Sequence, residues 1–291
     1  MSDSELRMFF TVTAGRSGQA SLTDLLNQHV PGCLAYFEEP QVHTNLPGIL
    51  GSYERRFRRR FTATHELLGR GKVLSAFAAG DERSLEKFAE ARLRWIQRRM
   101  NAAKVCMYFD VSKYFARGMH KAVMKQVPEA GLILLVRDPL LNMRSFLNRN
   151  KNFYLDNGRP DGVHNELQLD ADDLTVGELY LWAWCEMYLR FDALVERSNP
   201  SVWAEIRTDD LRDPQKMTAH LAVLGVSHNE IESADTLNTN ASQGFGGTSV
   251  AVEDVETFLR FMDRLPNAVR DRIRYLDGYD PARKFAQATA S

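Results

Sequence analysis

Residues Met8 to Asn27 read MFFTVTAGRSGQASLTDLLN. An apolar, β-prone run, Met8 to Val12, leads into a small, turn-prone segment, Thr13 to Ser21, that carries Gly15, Arg16 and Gly18. Leu22, Leu25 and Leu26 then recur at helical spacing. The order is buried strand, glycine loop, helix. Such a junction cradles an anion: glycines let the backbone curl, successive N–H groups point inward, and the helix N-terminus adds the positive end of its dipole. Arg16 adds a full charge. The plain alternative is a strand-to-helix turn that binds nothing, since short motifs have high false-positive rates.

The loop differs from two common phosphate loops. A kinase or ATPase loop reads G-x-x-x-x-G-K-[ST]. Here Thr13 stands five residues before Gly18, and Gln19 stands where the lysine belongs. The G-x-G-x-x-G of dinucleotide-binding folds is absent as well.

Working outward, Cys33 to Phe37 reads as a short second strand ending in Glu38-Glu39-Pro40, which sets carboxylates at a strand's end. Gln41 to Gly51 reads as irregular. Tyr53 to Phe61 (YERRFRRRF) is the densest charge cluster, and its pattern favours a solvated helix face with Phe57 and Phe61 turned inward. Its functional reading is a rim that attracts an anionic acceptor. Glu82 to Met100 reads as an amphipathic helix, Lys104 to Asp110 as a strand, and Gly131 to Val136 (GLILLV) as a strand buried on both faces. Glu178 to Arg197 reads as an aromatic-rich helix, Ser201 to Ile206 as the last strand, and Met217 to Leu224 as a helix. Asn238 to Ser249 reads as a polar, glycine-rich loop, and Val252 to Leu276 as a helical region broken near Pro266. Strands alternating with helices imply an α/β fold, expected here as a single three-layer domain over residues 1–291 with a central parallel sheet.

Of the 291 residues 44% are hydrophobic, ample for a core, and a net charge of −1 gives no global field for nucleic acid or membrane. Cys33, Cys106 and Cys185 form neither a CxxC nor a metal pattern, so reduced thiols and no metal site are expected. The opening MSDSELRM is no secretory signal, and the longest apolar run, Leu132 to Val136, is far too short for a membrane span. A cytoplasmic protein is expected.

A second constellation follows the GLILLV strand. Arg137-Asp138-Pro139 ends it, and Ser145 lies eight residues after Arg137. An arginine at a strand end binds phosphate through two N–H groups, and a serine in the next helix adds a hydroxyl. Two anion sites on one sheet edge suit one ligand with phosphate groups at both ends.

With these residues in place, the chain resembles the PAPS-dependent sulfotransferase family, in its bacterial and carbohydrate-type branches. TAGRSGQAS is similar to the family's 5′-phosphosulfate loop, and LILLVRDPLLNMRSF to its 3′-phosphate motif. Phe37-Glu38-Glu39-Pro40 sits where those branches carry Glu-Pro, and Glu205 to Leu211 (EIRTDDL) is similar to their Arg-Tyr-Glu-Asp-Leu segment. The resemblance runs in order from about Phe9 to about Gly225 and departs at Gln19-Ala20, where the family has Thr-Thr.

The resemblance implies a P-loop NTPase-like fold and sulfuryl transfer from 3′-phosphoadenosine 5′-phosphosulfate (PAPS) to a hydroxyl-bearing acceptor, carbohydrate, lipid-linked or small. It implies donor contacts from Gly15, Arg16, Ser17, Gly18, Gln19, Ala20, Ser21, Arg137 and Ser145, and from Gly246 and Gly247 in the later glycine-rich loop. Arg16 and Lys113 would act at the leaving oxygen. Glu39 is the first choice of base, with Glu38, His43 and Asp110 as rivals. No metal and no nucleic acid enter this scheme. Two other classes stay open: a nucleotide or sugar kinase using Asp138 for Mg²⁺, and a non-catalytic binder working through Arg55 to Arg60.

Overall fold

The computed structural model describes residues 6–41, 47–149, 159–231 and 249–289. Five strands, β1 (Arg7–Val12), β2 (Cys33–Phe37), β3 (Met107–Val111), β4 (Gly131–Val136) and β5 (Trp203–Arg207), make one sheet. Their order is β2-β3-β1-β4-β5 and every pairing is parallel. The helices are α1 (Gln19–His29), α2 (Gly48–Phe61), α3 (Thr64–Leu68), α4 (Lys72–Ala78), α5 (Glu82–Ala103), α6 (His120–Gln126), α7 (Pro139–Leu147), α8 (Val176–Ser198), α9 (Pro214–Val223), α10 (Val252–Arg264), α11 (Asn267–Arg270) and α12 (Pro281–Thr289).

The two-residue period of the strands divides the core. Phe10, Val12, Leu132, Leu134 and Val136 face Ile96 of α5, Val123 of α6 and Trp182 and Leu189 of α8. Phe9, Ile133 and Leu135 face Leu22, Leu25 and Leu26 of α1 and Met217 and Leu221 of α9. This is the three-layer α/β arrangement expected, and it is why GLILLV has no polar residue: both of its faces are covered. Phe9 and Phe109 stack across neighbouring strands at 4.5 Å.

The connection leaving β1 runs over the α1 face, while those leaving β3 and β4 run over the α5/α8 face. Adjacent strands whose connections part to opposite faces leave a crevice at their carboxyl ends. The glycine loop lies there.

Several element boundaries differ from the sequence reading. The third strand begins at Met107 rather than Lys104, because α5 continues to Ala103 and Lys104 closes it in the left-handed conformation (φ 56). The last strand is shifted to Trp203–Arg207. Glu38 and Glu39 lie beyond β2, in a turn with Glu38 at φ 50, so strand alternation does not decide which one faces the crevice. In α2 the expected inward placement of Phe57 does not hold: its side chain is 66% exposed.

A candidate anion site at the carboxyl edge of the sheet

After β1 the chain turns through Gly15 (φ 93) and Arg16 (φ 57), and Gly18 (φ 86) caps α1. A non-glycine residue in this region costs about 1–2 kcal/mol, so the surroundings must hold Arg16 there. Asn142 Nδ2 donates to Gly15 O at 2.8 Å, Thr208 Oγ1 to Ser17 O at 2.9 Å, and Arg117 Nη2 to Ala14 O at 3.3 Å. Positive φ favours glycine at positions 15 and 18, and side chains also crowd them. A Cβ on Gly18 would stand 2.8 Å from Leu211 Cδ1, and one on Gly15 would stand 3.1 Å from Lys113 Cδ. The hydrogen-bond ladder of α1 begins with Leu22 N donating to Gly18 O at 2.9 Å, so the N–H groups of Gln19 and Ala20 lie ahead of it at the positive end of the helix, where an anion can be met.

The two constellations meet. Arg16 Nε donates to Ser145 Oγ at 3.1 Å, and Arg137 Nη1 donates to Arg16 O at 3.3 Å. Three elements supply them: the loop after β1, the end of β4, and α7. Burial, then the charges of Arg149 and Arg137, lower the pKa of Arg16 to about 10. Burial likewise lowers that of Arg137, against the opposing pull of Asp138 and Asp209. Guanidinium charges held partly out of water, with Arg149 and Arg137 repelling Arg16, form a site that gains from a bound anion.

The predicted contacts differ in how they are placed. Ser17 is buried, and its hydroxyl donates to Gly15 O at 3.2 Å, so it stabilises the loop from within. Gln19 is also buried, and its Nε2 has no hydrogen-bond partner among the described residues. An unpaired buried amide donor costs about 1–3 kcal/mol, so an oxygen reaching Gln19 would relieve it. Ser145 is buried beneath Arg16. Gly246, Gly247 and His43 lie outside the described residues.

On the other flank, Lys113 Nζ lies 3.8 Å from Glu38 Oε1. With the Lys113 stem against Gly15, that pair borders the loop. Glu39 Oε2 accepts from Gln41 N at 2.8 Å, and Glu39 O accepts from Arg92 Nη1. Asp110 is 3% exposed, and Arg92 Nη2 donates to its Oδ2 at 2.7 Å. Burial raises the Asp110 pKa while Arg92 opposes the rise. This buried pair props the Glu38–Pro40 turn from beneath, which suits support better than proton transfer to a substrate. Asp138 Oδ1 accepts from Leu140 N and Leu141 N, and Oδ2 from Tyr279 OH at 3.0 Å. Both oxygens are thus engaged inside the protein, which removes the feature behind the kinase reading. Among the described residues no group of three or more His, Cys, Asp or Glu is placed to hold a metal ion, and no helix is long and apolar enough to cross a membrane.

Sequence reasoning missed Asn142, Thr208, Arg149 and Trp184. Trp184, within the aromatic-rich helix, also touches the site: its Nε1 donates to Arg137 O at 2.9 Å. Asn142 lies three residues before Ser145 on α7, so helical spacing within the Arg137–Ser145 stretch marks it as a neighbour. Thr208 lies in the EIRTDDL segment, which together with Leu211 braces the loop against β4 and β5.

No protein-family profile and no curated protein sequence matches the chain. Among solved structures, the sulfotransferase domain from the curacin biosynthetic pathway aligns at 12% identity over 90% of this chain and 99% of that one, with a TM-score of 0.45. A likeness of this size assigns no chemistry, which has to come from the residues themselves.

Proposed function

We propose that the protein is a sulfotransferase, moving a sulfuryl group from PAPS to a hydroxyl of a carbohydrate, lipid-linked or small-molecule acceptor. One observation carries the reading: Arg16 from the glycine loop meets Arg137 and Ser145, from the end of β4 and α7, at a single point of the sheet edge. That joins a phosphosulfate-type loop to a 3′-phosphate-type pair.

The orphaned Gln19 amide and the partly desolvated arginines fit a multiply anionic donor. Gly15 to Ser21 would hold its 5′ end, and Arg137 with Ser145 its 3′-phosphate. When bound, such a donor supplies an electrophilic sulfuryl group and a phosphate leaving group. Arg16 and the N–H groups at the start of α1 then stabilise the negative charge that builds on the leaving oxygen. Lys113 adds charge from the opposite flank. A carboxylate of the Glu38–Glu39 turn takes the acceptor's hydroxyl proton. Sequence position points to Glu39, whereas the contact with Lys113 places Glu38 beside the loop.

The test is a thermal shift with 3′-phosphoadenosine 5′-phosphate against AMP and ATP, followed by transfer assays with labelled PAPS. Preference for the 3′-phosphorylated ligand, lost in Arg137→Ala, is expected. Equal shifts with AMP and 3′-phosphoadenosine 5′-phosphate would refute the assignment of Arg137 and Ser145.

A further inference from the structure

The helix α2 carries its large apolar side chains outward. Ile49 is 77% exposed, Leu50 61%, Tyr53 64% and Phe57 66%, while Gly51 faces the body. Ile49, Tyr53 and Phe57 recur every four residues with Leu50 beside them, so they form one continuous stripe along the helix. Solvent-facing apolar groups of this size in a row mark an interaction surface.

Charge says what kind. The same helix holds five arginines, at positions 55, 56, 58, 59 and 60, against one glutamate, Glu54, in a chain whose net charge is −1. The positive charge is therefore concentrated here. By helical register positions 56 and 60 adjoin the apolar stripe. We propose that α2 is an interfacial helix that docks the protein on an anionic phospholipid surface. Its apolar stripe would enter the boundary between headgroups and acyl chains, with its arginines at the phosphate level.

A second copy of the chain is a poorer occupant, because two such helices would set five arginines against five. Nucleic acid satisfies the charge and finds stacking planes in Tyr53 and Phe57, but it leaves Ile49 and Leu50, the two aliphatic members of the stripe, uncovered, whereas an acyl boundary covers all four. The inference does not depend on sulfuryl transfer, because docking needs neither donor nor acceptor.

The experiment is co-flotation of the full chain with phosphatidylcholine vesicles and with vesicles of phosphatidylcholine plus phosphatidylglycerol. Association with the anionic vesicles alone, weakened by salt, is expected. Leu50→Ser with Phe57→Ser should abolish it. Arg56→Gln with Arg60→Gln should weaken partitioning about 25-fold, about fivefold for each arginine near the surface. Circular dichroism of both variants should match the parent, since the substituted positions lie on an outward helix. The proposal is overturned by absence of vesicle association or by equal association with neutral vesicles. A dimer that Leu50→Ser with Phe57→Ser dissociates would assign the face to a second copy. RNA binding without vesicle binding would assign it to nucleic acid.

Discussion

Replacing Arg16 with methionine keeps most of the side chain's length and removes a charge that the fold holds at a cost. Burial and the charges of Arg149 and Arg137 lower the Arg16 pKa from the ordinary arginine value to about 10. At about 1.36 kcal/mol per pKa unit that drop corresponds to at most about 3.4 kcal/mol. Arg16 is only partly buried, so solvent screening reduces this to about 1.5–2 kcal/mol. The sign follows from linkage. At pH 7 the guanidinium is protonated in both folded and unfolded chains, so the full penalty is present. It is relieved only as pH rises through about 10, where the folded state gives up its proton first. The substitution also loses the hydrogen bond to Ser145, about 1 kcal/mol. The net expectation for the free protein is a gain of about 0.5–1 kcal/mol. For 291 residues the unfolding entropy is about 0.6 kcal/mol/K, so Tm should rise by about 1–2 °C.

Ligand reverses the order. A ligand at about 100 times its Kd stabilises the parent by about 2.7 kcal/mol, near 4 °C on the same scale. With 3′-phosphoadenosine 5′-phosphate, Arg16→Met should lose most of that shift and most of kcat. The assay is differential scanning calorimetry of both proteins with and without the ligand. A less stable Arg16→Met that still shows the full shift would mean that Arg16 is a structural residue, and the anion-site reading would fail.

Glu38→Gln and Glu39→Gln, compared by steady-state transfer rates, separate the two candidate bases. The true base should lose about 10²–10⁴-fold in kcat with ligand shifts intact, and a full rate in both variants removes the turn from the chemistry. Asp110→Ala leaves Arg92 buried without its partner and should cost about 3–5 kcal/mol in urea unfolding; a neutral result would contradict the propping role. Gly18→Ala must accept φ 86 and a Cβ 2.8 Å from Leu211 Cδ1. A loss of about 2–4 kcal/mol is expected, and chemical denaturation showing no loss would mean that Leu211 yields freely.

Much of this molecule was legible before any coordinates. GLILLV declares a strand covered on both faces, because no polar side chain interrupts it. TAGRSGQAS declares a strand–loop–helix junction, because glycine is cheap where φ is positive and a serine or alanine is not. These are local effects, set by neighbours along the chain. The meeting of Arg16 with Ser145, 129 residues apart, is not local. It depends on β1 lying beside β4, a pairing that spacing along the chain cannot reveal. The Glu38–Glu39 turn shows the same limit: alternation stops at Phe37, and Lys113 and Arg92 from distant elements decide where each carboxylate goes. In α2 the periodicity marked Phe57 and Phe61 as an inward pair and left Ile49 and Leu50 in a stretch read as irregular, whereas the helix already begins at Gly48 and Phe57 points outward. A stripe faces inward only where the fold supplies a surface to cover it, and at Ile49, Leu50, Tyr53 and Phe57 the tertiary structure leaves it facing solvent.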